Sequence, residues 1–292
     1  MSADLAQLLV NGLMAGAVLA VPAIGFTAIY AVLRFPNFAV GGMATVGAYA
    51  GLFANTALRL PPTLALGAAF LAAGIAGVIA DEVALRPLRP AGALAAAIGS
   101  VALNIVIENA VRFCFGNDLR GYDLPVFRDW RLGPPGFVLS VGPQQAANAL
   151  CALVAMAALF AFLGFTRIGK TMRAVADNPA LAALKGIDAR AVERLATFLG
   201  MGLAGFGGML IGLDTSINPL TGFSVMLSVF AAAVVGGLGS IPGAVAGAFV
   251  IGVGEEMSVA VLPPAYRTAI GFAAILLVLT FRPRGLLGER AY

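Results

Sequence analysis

Histidine is absent from this sequence. That removes a histidine general base, a histidine metal ligand and a Ser-His-Asp triad together. Cysteine is nearly absent: Cys114 and Cys151 lie in or beside apolar runs without metal-ligand spacing. They read as packing residues, so no metal site is expected. Charge is scarce as well. Only 11% of residues are charged and 60% are hydrophobic, at a mean hydropathy of +0.96, whereas a soluble domain carries about 25% charged residues. So few charges cannot cover a water-exposed surface, which points to a polytopic membrane protein. The net charge of +4 requires no nucleic acid, because basic residues collect on cytoplasmic loops of membrane proteins. The N-terminus lacks the basic start of a signal peptide, with Asp4 in its place and too long an apolar run, so it reads as a retained first span.

Glycine, in contrast, is abundant, at 37 of 292 residues where about 7% is usual. Small residues let membrane helices approach closely. With about 20 apolar residues needed per crossing, candidate spans run near 7–33, 38–58, 62–85, 93–115, 143–165, 192–213, 223–240, 242–262 and 264–281. The expected fold is an all-α polytopic membrane helix bundle of about 8–9 transmembrane helices, forming a single transmembrane domain over residues 1–292. Arg34, Arg86, Arg89, the basic stretch at 166–194 and Arg282, Arg284 and Arg290 fall on one side if spans alternate. That side is then the cytoplasm, with the N-terminus outside. The loop at 116–142 lies outside too. Its arginines Arg120, Arg128 and Arg131 are offset by Asp118, Asp123 and Asp129, and its Trp130, prolines and glycines suggest an ordered periplasmic loop.

Two halves of the chain carry the same marks in the same order. Asn37, then Pro61, then Asp81-Glu82 early in the chain match Asn218, Pro242 and Glu255-Glu256 late in it. An inverted repeat with broken helices, a common transporter build, gives this order. Chance likeness between Gly/Ala-rich spans also gives it.

Several motifs have a sharp and a bland reading. Gly164 to Thr171 fits the nucleotide-binding pattern G-x-x-x-x-G-K-T, but that loop works between a buried strand and a helix. Here a span-length apolar run precedes it, so it reads as a span leaving the membrane onto basic residues. Gly47/Gly51 and Gly243/Gly247 are small-residue packing pairs. Gly236-Gly237-Leu-Gly-Ser-Ile-Pro242 is either broken backbone lining a pathway or a tight turn between two spans. Among acidic residues in apolar runs, Asp81 and Glu82 lie near Arg86 and Arg89, where salt bridging is expected. Glu108, beside Asn109 and near Asn104, is a pathway candidate. No catalytic partner accompanies these carboxylates, so no catalytic residue is assigned. The stretch 166–194 is the longest polar interruption with helical character, and it reads as a cytoplasmic element that meets a soluble partner.

Taken together, the run through Arg34-Phe-Pro-Asn37-Phe-Ala, Arg86-Pro-Leu-Arg89, Arg173-Ala-Val-Ala-Asp177 to Gly186-Ile187, Gly236 to Ala244 and Arg282 to Gly288 resembles the branched-chain amino acid ABC transporter permease family, the shorter permease type. The resemblance implies a bacterial inner-membrane importer. In it two permease subunits pair with two cytoplasmic ATPase subunits, which bind the ATP, and with a periplasmic substrate-binding protein. The permease itself would hold no cofactor. The resemblance also implies that 166–194 is the segment coupled to the ATPase, with Arg173, Ala174, Asp177, Ala182, Gly186 and Ile187 matching the family pattern. Two positions depart from the family. Its His and Glu after Asn-Phe-Ala are Val40 and Gly42 here, and a Lys before the glycine turn corresponds to Ser228. The resemblance implies a branched-chain amino acid or a related small amino acid or amide as cargo, and these two departures leave open the urea, short amides or aromatic acids of related permeases. The pathway candidates are Asn37, Glu108, Asn218, Ser228, Gly236 and Gly237. A rival class is an ion-coupled secondary transporter of a small organic solute using Glu108 or the Glu255/Glu256 pair, and a third is a structural membrane scaffold.

Overall fold

The structure, a computed structural model, describes residues 2–124, 128–132, 139–263, 266–282 and 284–288. Arg290 and parts of the loop at 116–142 lie outside the described residues. Helices dominate, as an apolar chain in lipid requires, since each backbone donor and acceptor must be met within its own segment. They are α1 (Ser2–Leu33), α2 (Ala39–Thr56), α3 (Pro62–Ala80), α4 (Ala93–Phe115), α5 (Pro143–Phe165), α6 (Arg167–Asp177), α7 (Pro179–Leu184), α8 (Ala189–Asp214), α9 (Thr221–Gly236), α10 (Ile241–Ser258) and α11 (Arg267–Phe281). After α3 the chain passes through a π turn (Asp81–Leu85) and a 3-10 turn (Arg86–Ala91). Prolines stand in the first turn of α3, α5 and α10, where the missing N–H costs nothing. Gly92 and Gly116 bound α4 at positive φ.

Among the described residues five segments are long and apolar enough to cross a bilayer: Asp4–Leu33, Pro62–Ala91, Ala93–Phe115, Pro143–Phe165 and Ala189–Asp214. α9 and α11 are shorter and apolar. In α1 and α8 the most apolar stretch is 72% buried, against about a third in α3, α4 and α5, so α1 and α8 form the centre and the other three the rim.

The centre is held at glycines. Gly25 of α1 lies so near Gly200 of α8 that a Cβ on either would sit within 2.6 Å of the other's carbonyl oxygen. Gly47 of α2 faces Gly205 of α8, and a Cβ on Gly208 would lie 2.1 Å from the Ala44 carbonyl. The Pro22 ring in α1, which would crowd a neighbour, rests over Gly207. α1 meets α10 the same way, through Gly12 and Gly16 against Gly252, Val253 and Phe249.

The halves correspond in structure. The interval from Leu33 to Asp214 (the ends of α1 and α8) equals that from Asn37 to Asn218 and from Pro61 to Pro242. Asn37 Oδ1 accepts from Ala39 N–H at 3.1 Å and Asn218 Oδ1 accepts from Leu220 N–H at 3.0 Å, so one side-chain turn opens both α2 and α9. α3 packs on α8 as α10 packs on α1, and α2 packs on α3 and α4 as α9 packs on α10 and α11.

Each end of the bundle is tied by polar contacts. At one end Arg89 binds Asp81 at 2.5 Å and Glu193 at 2.7 Å, with its guanidinium over the Phe35 ring. Glu82 takes Arg194 at 2.6 Å and also Arg86. Arg34, at positive φ, turns the chain back into the bundle and donates to the Ala176 carbonyl. At the opposite end β1 (Trp130–Leu132) pairs antiparallel with β2 (Leu139–Val141). Gln7 of α1 exchanges two hydrogen bonds with the Ser140 backbone, at 2.7 and 2.8 Å. The Tyr122 hydroxyl donates to the Ala48 carbonyl at 2.8 Å. Burial pushes the pKa of that phenol up, so it stays a donor.

Two predictions test this packing by thermal unfolding in detergent. Gly208→Ala is expected to destabilise by about 1–3 kcal/mol, because its new Cβ meets backbone, whereas Gly164→Ala, which meets nothing within 4 Å, should hold or raise stability. Arg89→Ala should cost about 3 kcal/mol by stranding Asp81. Arg194→Ala, at a 54%-exposed side chain, should cost far less, because solvent screens an exposed pair. Equal losses within the glycine pair would remove close backbone contact as the basis of the packing, and equal losses within the arginine pair would remove Arg89 as its fastener.

Candidate functional site

At the end where the basic residues gather, 166–194 folds into two short helices before α8. Thr166 caps α6 by accepting from Gly169 N–H at 2.9 Å. Gly169, Met172 and Val175 turn inward, and Gly169 touches the backbone of Leu163 and Phe162 so closely that no Cβ fits. Asn178 then ends α6 and caps α7, its Oδ1 accepting from Leu181 N–H at 3.0 Å, with Pro179 in the first turn. This Asn-Pro step divides the polar segment, which reads from sequence as one short helix. Gly186, at φ 79°, closes α7, with Ile187 N–H reaching the Ala182 carbonyl at 3.1 Å. Asp188 caps α8 by accepting from Arg190 N–H.

The six residues expected to couple divide by position. Arg173 and Asp177 lie on α6, both exposed, with Ala174 half-buried between them. Ala182 is buried, and Gly186 and Ile187 shape the turn. Two residues outside that set are more prominent: Leu181 and Leu184, three apart on α7, are 55% and 84% exposed. A Leu-x-x-Leu pair opposite a buried alanine is a legible signal for a docking face. The pattern from Gly164 to Thr171 spans the end of α5 and the start of α6, so a helix, not a strand, feeds it.

The six pathway candidates do not converge. Ser228 lines a cavity of about 390 Å³ between α1, α5, α8, α9, α10 and α11, near the end opposite the basic loop. Its hydroxyl donates to Glu255 Oε1 at 2.6 Å. Glu256 pairs with Arg267 at 2.7 Å across the same cavity, and Asp214 and Asn148 also line it. Asn37 and Asn218 stand outside its lining and open α2 and α9. Asn37 is buried, with Nδ2 free of any protein partner among the described residues. Glu108 pairs with Arg112 at 3.0 Å one turn along α4. Gly236 and Gly237 form a tight turn, Gly237 at φ 111°. The C-terminal segment seats on it, Leu286 N–H to the Val235 carbonyl at 2.8 Å and Leu287 N–H to the Gly236 carbonyl at 2.9 Å. Sequence reasoning missed Asp214 and Arg267 as neighbours of Ser228, because they lie on other helices. The signal available was the charge of Glu255 and Glu256 in an apolar run.

Comparison with known proteins accounts for nearly the whole chain. A family pattern described as the permease component of branched-chain amino acid transport systems matches residues 8–279. The chain is 34% identical over 97% of its length to the high-affinity branched-chain amino acid transport system permease protein LivH of Escherichia coli K12, covering 95% of that protein. It is 32% identical, with the same coverage, to the high-affinity branched-chain amino acid transport system permease protein BraD of Pseudomonas aeruginosa. Among solved structures, PsaBC from Streptococcus pneumoniae in complex with Fab superposes with a TM-score of 0.50 over 95% of this chain and 93% of that one. At 14% identity this shows a shared fold alone. With the match spanning α1 to α11, the chain belongs to the family of branched-chain amino acid transport permeases, multi-pass proteins of the inner membrane.

Proposed function

We propose that this chain is the non-catalytic permease subunit of an ATP-driven importer, moving a branched-chain amino acid or a related small amino acid or amide into the cell. ATP is bound and hydrolysed on two separate ATPase subunits. A second permease subunit completes the pathway, and a periplasmic binding protein delivers the cargo. The nine longer helices then cross the membrane in alternation, N-terminus outside and the basic end in the cytoplasm. The halves α1–α4 and α8–α11 form an inverted repeat. Beyond family membership, the observation that carries this reading is the exposed apolar pair of α7. Leu181 and Leu184 stand among Arg173, Lys170 and Lys185 on an element that leaves the bundle and returns to it. A leucine 84% exposed on a capped helix is left largely unpacked among the described residues. A groove on a soluble partner would bury it.

The contacts of this element suit it to transmission. α6 is tied to α1 through Arg34 and Ala176. α7 runs through Gly186 into α8, whose first turns are bound to the end of α3 by Glu193 and Arg194. Closure of the ATPases on α7 would therefore move α1, α3 and α8 together. Of the carboxylates an ion-coupled carrier would use, Glu108 and Glu256 are each engaged by an arginine, and Glu255 accepts from the Ser228 hydroxyl.

Co-expression with the ATPases encoded beside it tests the reading. The wild-type chain is expected to co-purify with them. Leu184→Asp and Arg173→Glu should abolish that association with thermal stability unchanged, while Met172→Asp, on the buried face of α6, should lower stability first. Retained ATPase binding in Leu184→Asp, or uptake that persists without any ATPase, would refute the assignment.

A further inference from the structure

The cavity near Ser228 holds more acid than it neutralises. Three carboxylates line it, Asp214, Glu255 and Glu256, against one guanidinium, Arg267. Arg267 is committed to Glu256 at 2.7 Å. Among the described residues neither Glu255 nor Asp214 has a cationic side chain within salt-bridge range. Glu255 is held in place by the Ser228 hydroxyl, a single neutral donor, at 2.6 Å. Around these groups the wall is mixed, with Met14, Val18 and Val225 apolar on α1 and α9 and Gln145, Asn148 and Ser224 polar.

Carboxylates beside apolar walls are costly unless something positive meets them. An ammonium offers three donors and a full charge in a small volume. The volume, about 390 Å³, is within the usual range for small-molecule sites. The guanidinium of Arg267 has donors beyond the one facing Glu256, and Thr268 adds a hydroxyl beside it. A small solute carrying an ammonium on a branched aliphatic body therefore finds a counter-ion, apolar lining and, in the same cavity, donors for a carboxylate.

We propose that this cavity is a solute site within a single permease chain, selective for a primary ammonium group, with Glu255 as its principal anchor and Asp214 adding to the negative field. The proposal rests on the transport reading above and refines it. An uncharged amide or urea lacks the charge this site requires, and a simple carboxylic acid is repelled by it. Ser228 acts as a positioning residue, orienting the Glu255 carboxylate toward the cavity.

Three probes with one branched tail separate the terms: L-leucine, 3-methylbutylamine, which lacks its carboxylate, and 4-methylpentanoate, which lacks its ammonium. Each is titrated against the full-length permease in detergent, reading thermal stabilisation. The amine and leucine are expected to stabilise the wild-type chain, and the acid is not. Glu255→Gln should weaken the amine about tenfold or more, as loss of a charged hydrogen bond does. Ser228→Lys, which sets a permanent cation beside Glu255, should abolish its binding. Asp118→Asn, at an exposed carboxylate in the loop after α4 and outside the cavity, should bind as the wild type does. Unliganded melting of each variant reports its folding. The inference is overturned if the acid stabilises as well as the amine, if Glu255→Gln binds the amine undiminished, if no probe binds, or if sodium chloride matches the amine salt. ATPase co-purification with the same preparation stands or falls separately, so failure here is distinguishable from failure of the importer assignment.

Discussion

Backbone meets backbone where α8 crosses α1 and α2, and the rest of the bundle is arranged around that contact. Lipid is as apolar as leucine, so burial of side chains gives membrane helices little reason to associate. What remains is dispersion between closely fitted surfaces. Gly25 against Gly200, Gly47 against Gly205 and Gly208 against the Ala44 carbonyl bring main chains to distances at which no side chain fits. The larger residues nearby are arranged to suit: Pro22 lies over Gly207, and Phe70 and Phe198 meet edge to face beside Gly202 and Gly74. A chain poor in charge and rich in glycine is what this packing demands.

Several polar groups serve the places where the helices begin, end or break. Asn37 and Asn218 each satisfy the first turn of the helix that follows. Thr45 accepts from Gly222 N–H at 3.0 Å, meeting an orphan donor at the start of α9 from a neighbouring helix. At the basic end Arg89 draws together three segments, the turn at Phe35, the end of α3 and the start of α8. The charges that the bilayer excludes thus become fasteners at its edges.

The helix positions were legible because bilayer thickness sets the length of apolar runs and because Pro61, Gly92, Gly116, Pro143 and Gly237 mark their ends. Gly186 was legible as a helix terminus for a related reason, since glycine readily takes the φ of 79° found there. The internal correspondence rested on Asn37/Asn218 and Pro61/Pro242, and both pairs occupy matching places at helix starts. The cavity was not legible. Ser228, Asp214, Glu255 and Arg267 belong to four helices, and no local pattern says that these helices converge there. Gly236 and Gly237 were ambiguous in sequence because a pathway break and a tight turn use the same residues. In the structure Leu286 and Leu287 N–H donate to the Val235 and Gly236 carbonyls at that turn.

α8 is the element that links the two sites. Its 26 residues span about 39 Å at the α-helical rise. Glu193 and Arg194, near its start, are fastened to the end of α3, and Asp214, its last residue, lines the cavity at the opposite end. Between them Gly200, Gly205, Gly207 and Gly208 press it against α1 and α2. Close-packed contacts resist sliding but permit a rigid helix to tilt about them. In an importer driven from α7, a push at the start of α8 would swing Asp214 the other way relative to Glu255 on α10. The cavity would then change shape when the ATPases close, without any bend in the helix that connects them.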